Sequence, residues 1–151
     1  MEVKQLIQTY LQDAKMMHLA TVSNGKPWVC NVWFATDDSM SIYYFSATTT
    51  RHSAEVMEDP YVAGSMCLPQ TPQDKSRGLQ FEGVASLLTD EGDVQKTISV
   101  YKDRIFSSEQ IEQFIAHPDR PHRFYRIKPE LFVLFDAEHF PKNARQEFRL
   151  S

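Results

Sequence analysis

The sequence predicts a mainly β protein with peripheral helices: a small antiparallel barrel, closed or split, of about six strands. Three observations point there. Strand-like segments follow one another through tight turn signals, whereas regular alternation with helices would imply a parallel sheet. The helical segments are confined to the start, one short stretch after the third strand and one insert. A length of 151 residues, with 42% hydrophobic and 12% aromatic residues, suits one domain over 1–151. A chain of that size buries roughly 68–70% of its unfolded surface and needs no disulfide or metal staple.

Val3, Leu6, Ile7, Tyr10, Leu11 and Ala14 recur at helical spacing, so 1–15 reads as an amphipathic helix laid on a core. Segments 18–23 and 28–36 flank Asn24-Gly25, a dipeptide that tolerates the positive φ angles of a type I′ hairpin turn. Asp37-Asp38-Ser39 is a second turn signal, ahead of a third strand over 40–46. After a hydroxyl-rich loop, 51–59 reads as a helix closed by Pro60. Strands over 61–68 and 79–88 flank one long polar loop. A helical insert spans 91–117: Val94, Ile98, Tyr101 and Ile105 share one stripe, and Ser107-Ser108-Glu109-Gln110 offers a capping box before Ile111. A sixth strand covers 124–135, and 137–151 shows no clear period.

A formal net charge of −4 without a Lys/Arg-rich run supplies no broad field for a nucleic-acid backbone, so nucleic acid is not an expected partner. MEVKQLIQTYLQDAK lacks the parts of a secretory signal, and no long apolar run follows. The expected location is the cytoplasm, with no membrane partner. Cys30 and Cys67 form no CxxC and read as two reduced core thiols. His18, His117 and His139 show no metal-ligand spacing, and GxSxG, HExxH, Walker and GxGxxG patterns are absent. Asp90, Glu91 and Asp93 read as helix amino-terminal charge, Glu55, Glu58 and Asp59 as a solvated helix face, and Arg120-Pro121-His122-Arg123 as a surface turn. Nothing nominates a general base, so catalytic residues stay unassigned.

The richest stretch is SATTTRHSAEV, residues 46–56. Ser46, Thr48, Thr49 and Thr50 run into Arg51 and His52 at the start of a helix whose N-cap is Thr50. Cations there oppose the helix dipole unless an anion sits among them, and hydroxyls, backbone N–H groups and an Arg fork suit a phosphate monoester. The alternative is a solvated Arg51 with Thr50 acting only as a cap. The second strand, WVCNVWFAT, is apolar on both faces. It packs either between two core layers or between a core and a planar ligand or partner subunit.

HLATVSNGKPWVCNVWFATDD, IYYFSATTTRHSAEVMEDPYVAG and GLQFEGVASLL, in this order, together with the late FYRIKPELFVLFD, resemble the pyridoxamine 5′-phosphate oxidase-like FMN-binding split barrels. The finer features are similar to the YhbP-like bacterial branch. The resemblance spans about residues 16–136 and implies a six-stranded split barrel, a homodimer, and FMN sites at the interface. It implies an oxidoreductase acting on a small molecule, or alternatively a non-catalytic dimer that binds or senses flavin or haem. It assigns Asn31, Val32, Trp33 and Phe34 to the flavin ring side, partly through backbone groups, with Phe45 and Ser46 as further contacts. Arg51 and His52 fall on the Arg-Lys pair that grips the phosphate, joined by the hydroxyls of Thr48 and Thr50. Gln80 falls on a ring-contacting Gln, and Gly83 on the Gly that follows it.

Two departures matter. His52 stands where the family has Lys, and a free imidazole is mostly neutral at pH 7. The chain also ends DAEHFPKNARQEFRLS, without the Arg-x-His that holds pyridoxine phosphate in the true oxidases. Arg120 and His122 have the right types but precede the last predicted strand, so true pyridoxamine 5′-phosphate oxidase activity is not expected.

Overall fold

The computed structural model describes residues 2–150. Its elements are α1 (Val3–Asp13), β1 (Met16–Ser23), β2 (Lys26–Thr36), β3 (Ile42–Ala47), α2 (Arg51–Glu58), β4 (Tyr61–Met66), β5 (Arg77–Leu87), α3 (Glu91–Tyr101), α4 (Ser108–Ile115), β6 (His122–Asp136) and β7 (Arg145–Arg149). The start of the helix expected over 1–15, Met1, lies outside the described residues, as does Ser151.

Antiparallel ladders join β3 to β2, β2 to β1, β1 to β4, β4 to β5 and β5 to β6. The first half of β6 then returns to β3, from Ile42↔Ile127 to Ala47↔His122, and closes a six-stranded ring. The strand β7 is an addition that the period of the sequence did not show. It pairs only with the far half of β6, Leu131↔Arg149 to Phe135↔Arg145, and at five residues its alternation is brief. Asp136, buried at the end of β6, turns the chain toward β7 by accepting the N–H groups of Glu138 and His139, with His139 Nδ1 at 2.8 Å.

Local chemistry sets the connections. Asn24 and Gly25 have φ of 52° and 74°, as the β1–β2 hairpin requires. Asp90 and Ser107 cap α3 and α4, the latter with the expected Gln110 capping box. Gly83 sits where β5 slips register against β6, and a Cβ there would stand 2.5 Å from the Lys128 carbonyl oxygen.

Inside the ring, Leu19, Val32, Phe34, Ile42, Tyr44, Phe81, Ile127 and Phe132 form the main core. One end is plugged by α1 through Leu6, Ile7, Tyr10 and Leu11, and the hairpin end by α2 through Val56. Fully burying one such large apolar side chain contributes about 1.5–3 kcal/mol. A second core, Ala35, Tyr43, Phe45 and Phe124 with Tyr101 and Ile111, lies outside the ring where the α3–α4 insert covers β3 and β6. The outer face of β1 and β2 carries no such cover, and Val29 and Trp33 there are 58% and 42% exposed.

Two expectations need correction. Cys67 is exposed, because β4 ends at Met66 and leaves it in the following loop; only Cys30 is half-buried, its thiol pushed up to about 11 by burial. His122 and Arg123 lie in β6 rather than on a turn, and the His122 ring packs 4.7 Å from Phe114 and 5.2 Å from Phe45.

Arg104, which no pattern singled out, ties the insert to the barrel. Its guanidinium donates to the carbonyl oxygens of Leu11, Gln12 and Ala14 at the end of α1 and to that of Phe34 in β2. A cation at a helix carboxyl terminus is favourable, and four carbonyls lose their partner with it. Arg104→Ala is expected to cost about 2–3 kcal/mol. A lowered guanidinium chloride midpoint at unchanged slope measures that loss. Arg104→Lys recovers little, since an ammonium cannot span the same acceptors.

Candidate functional site

At the hairpin end of the barrel, β3 runs through a hydroxyl-bearing loop into α2. Thr50 caps the helix, its Oγ1 accepting the Ser53 N–H. His52 is buried, with Nε2 at 2.9 Å from Ser46 Oγ and 3.3 Å from Thr50 Oγ1. Burial holds its pKa below the ordinary value and Glu55 only partly offsets this, so the imidazole is neutral at pH 7.

Arg51 is half-exposed and turned back on its own helix. Its Nε donates to Glu55 Oε2 at 2.7 Å, and its guanidinium carbon stands 4.0 Å above the centroid of the Trp28 ring. The Nη1 and Nη2 groups make no hydrogen bond among the described residues. Glu55 is a correction to the solvated-face reading. It is buried, its Oε1 accepts from Thr21 Oγ1 at 2.8 Å, and the hydrogen bonds from Arg51 and Thr21 hold its carboxyl below the usual carboxylate range. The spacing of α2 alone could not show this, because Thr21 comes from β1.

On the uncovered outer face, register brings distant residues into one row. Asn31 in β2 stands opposite His18 in β1, His18 opposite Ser65 in β4, and Ser65 opposite Gln80 in β5. Neighbouring strands are 4.7–4.9 Å apart, so this polar row spans about 14 Å. His18 Nδ1 lies 3.4 Å from Ser65 Oγ. Trp33, opposite Met16, and Val29, opposite Ala20, flank the row on the same face. Asn31 and Gln80 were singled out by resemblance; His18 and Ser65 were not, and only strand register could have joined them.

The other expected residues go elsewhere. Val32 and Phe34 point into the barrel core, so only their backbone can face a ligand. Phe45 stacks on Phe124 at 4.4 Å in the second core. Thr48 is exposed and, with Arg123 and Phe124, lines a cleft of about 830 Å³ beside the insert. Gln80 and His18 line a smaller one, of about 320 Å³, beside Phe135. Ser46, Thr50 and His52 are thus brought together, as are Asn31 and Gln80 along the row, while Val32, Phe34 and Phe45 belong to the scaffold.

The depressed His52 pKa has a thermodynamic sign. Well above pH 6.5 folded and unfolded chains both hold it neutral; as pH falls through about 6.5 the unfolded chain takes up the proton while the folded chain resists it, so stability falls as pH falls. His122, shifted down by burial too, adds in the same direction. The thermal midpoint is expected to decline from pH 7 to pH 5, and His52→Gln to make the decline shallower. An unchanged slope in that variant would remove His52 from the account.

Residues 3–134 match the family described as Pyridoxamine 5'-phosphate oxidase. The UPF0306 protein of Haemophilus ducreyi is 24% identical over 89 residues, 58% of this chain and 61% of its own length. The chain therefore spans about three fifths of the curated relatives it matches. General Stress Protein 26 of Bacillus anthracis superposes with a TM-score of 0.70 at 20% identity, covering 99% of this chain and 100% of its own. A FAD-binding protein of Mesorhizobium loti gives 0.67 at 17%, over 87% and 90% of the two chains. The haem storage protein HutZ of Vibrio cholerae gives 0.70 at 23%, over 86% and 92%. At these identities the structural likeness is one of fold. The ring of six strands closed by β6, with the family pattern running through nearly all of it, makes this chain a member of the pyridoxamine 5′-phosphate oxidase family.

Proposed function

We propose that this chain forms one cytoplasmic FMN-binding split-barrel domain that works as a homodimer, and that it is a flavin-dependent oxidoreductase of a small-molecule substrate. The observation that carries the reading is the row Asn31, His18, Ser65 and Gln80 on the uncovered sheet face. It offers hydrogen-bonding side chains across about 14 Å of otherwise flat surface, beside the apolar Trp33 and Val29. Bound flavin would supply the hydride-transfer chemistry.

The chain's own residues orient and hold. Asn31 and Gln80 fix the ring edge, while buried Val32, Phe34 and Phe45 keep β2 and β3 rigid beneath it. The free Nη groups of Arg51, with the cluster of Ser46, Thr50 and His52, take the phosphate. A neutral His52 contributes there as a hydrogen-bonding group rather than as the second cation of the family pattern. Exposed Trp33, Val29 and Met16 suit burial against a second copy, which also shuts water out of the row.

The purified protein is expected to show flavin absorbance at about 450 nm, as isolated or after adding FMN. Arg51→Ala is expected to weaken FMN roughly 10- to 100-fold and riboflavin little, since only FMN carries the phosphate. Equal losses would take Arg51 out of that role. Consumption of NAD(P)H with a common acceptor separates an enzyme from a flavin-binding module. A second reading, haem binding or sensing, is favoured by the exposed His18 imidazole in the same row; a haem spectrum lost in His18→Ala, without flavin uptake, would select it. Trp33→Glu places a charge on the proposed dimer face, and sedimentation is expected to show a dimer for the native chain and a monomer for this variant.

A further inference from the structure

We propose that Glu55 is a resident counter-anion of the cofactor-phosphate site: paired with Arg51 in the free protein, it keeps the preference for a phosphate-bearing flavin over its phosphate-free counterpart low. The inference rests on the flavin reading above and concerns how strongly that site selects the phosphate.

Both members of the pair are held by neighbours. Glu55 sits one helical turn after Arg51, and its side chain is 9% exposed against 48% for Arg51. One of its oxygens accepts from Arg51 Nε at 2.7 Å and the other from Thr21 Oγ1 at 2.8 Å, so both have donors and one donor is a cation. Such a carboxylate stays ionised. Trp28 lies under the guanidinium plane at 4.0 Å, which leaves Arg51 little freedom to swing off Glu55. Swinging off would also strand a buried carboxylate without its cation. A phosphate therefore adds at the free Nη edge and does not displace Glu55.

The charge balance follows. Arg51 and Glu55 cancel, and His52, buried among Ser46, Thr50 and Tyr44, is neutral. The nearest further charge on the helix is another carboxylate, Glu58, bonded to Ser23 Oγ at 2.8 Å. A dianionic phosphate thus meets hydroxyls and N–H groups, with a guanidinium whose charge is already shared; the further cation, Arg123 opposite Ser46, is held on the carbonyl oxygens of Ile115 and His122. The phosphate also meets a fixed anion well within a Debye length, in a part of the site that solvent screens poorly. A purely positioning role for Glu55, in which it aims Arg51 at the ligand, makes the opposite forecast when its charge is removed.

Flavin-fluorescence titrations of the whole chain with FMN and with riboflavin separate the two roles. Glu55→Gln keeps the shape and a partner for Thr21 while losing the charge. The FMN-over-riboflavin affinity ratio is expected to rise about tenfold in Glu55→Gln at low ionic strength, and less at high. The same substitution in an Arg51→Ala background is expected to raise the ratio again, because the repulsion does not pass through Arg51. A ratio that falls in Glu55→Gln, or that is unmoved in the Arg51→Ala background, overturns the proposal and leaves the flavin reading intact. Absence of binding of either flavin to all four proteins overturns both. Should the variants misfold, the native chain decides. Its ratio is expected to change less than twofold between low and high salt, and a steep fall with salt, the mark of an uncompensated cation, overturns the proposal.

Discussion

Because β6 gives the first half of its length to β3 and most of it to β5, the sheet turns back on itself, and every other feature follows from that return. Closure removes the free edge that β3 would otherwise present, and it sorts side chains into an inside and an outside. Tyr44 and Tyr125 then stack face to face within the barrel at 5.0 Å, while their neighbours Tyr43, Phe45 and Phe124 must find cover outside it. The insert between β5 and β6 provides that cover. What the insert leaves open is the face of β1, β2, β4 and β5 on which the polar row runs.

The hairpin end of the barrel shows how burial acts differently on two groups three residues apart. His52 has hydroxyl partners and a tyrosine beside it, and burial outweighs the Glu55 charge, so its neutral form is favoured. Glu55 has a cation and a hydroxyl, so its charged form is kept. Both outcomes depend on residues from β1, β2 and β3 meeting α2, which sequence spacing within one helix does not contain.

Much of the fold was legible because its signals are local. Asn24-Gly25 requires its turn, Pro60 ends its helix, and Ser107 with Gln110 caps another, all through residues a few positions apart. The strand segments were legible for the same reason, save for β7, whose five residues bury only one side partly. The site was less so. Arg51, His52, Asn31 and Gln80 were visible through family resemblance, yet the company they keep is set by register and tertiary approach. Thr21 beneath Glu55, His18 between Asn31 and Ser65, and Arg104 reaching Leu11 leave no trace in any single window of sequence. Apolarity on both faces of β2 likewise had two explanations, and only closure of the ring showed that Val32 and Phe34 face inward and Trp33 outward.

The chain has two tryptophans, and both are in β2. Five positions apart, they point to opposite sides of the strand. Each is 42% exposed, Trp28 under a guanidinium at the mouth of the barrel and Trp33 on the open face. Intrinsic emission from this molecule is therefore a two-channel signal: the first indole senses any change in the cation above it, and the second shifts to the blue when something dry is laid over the sheet.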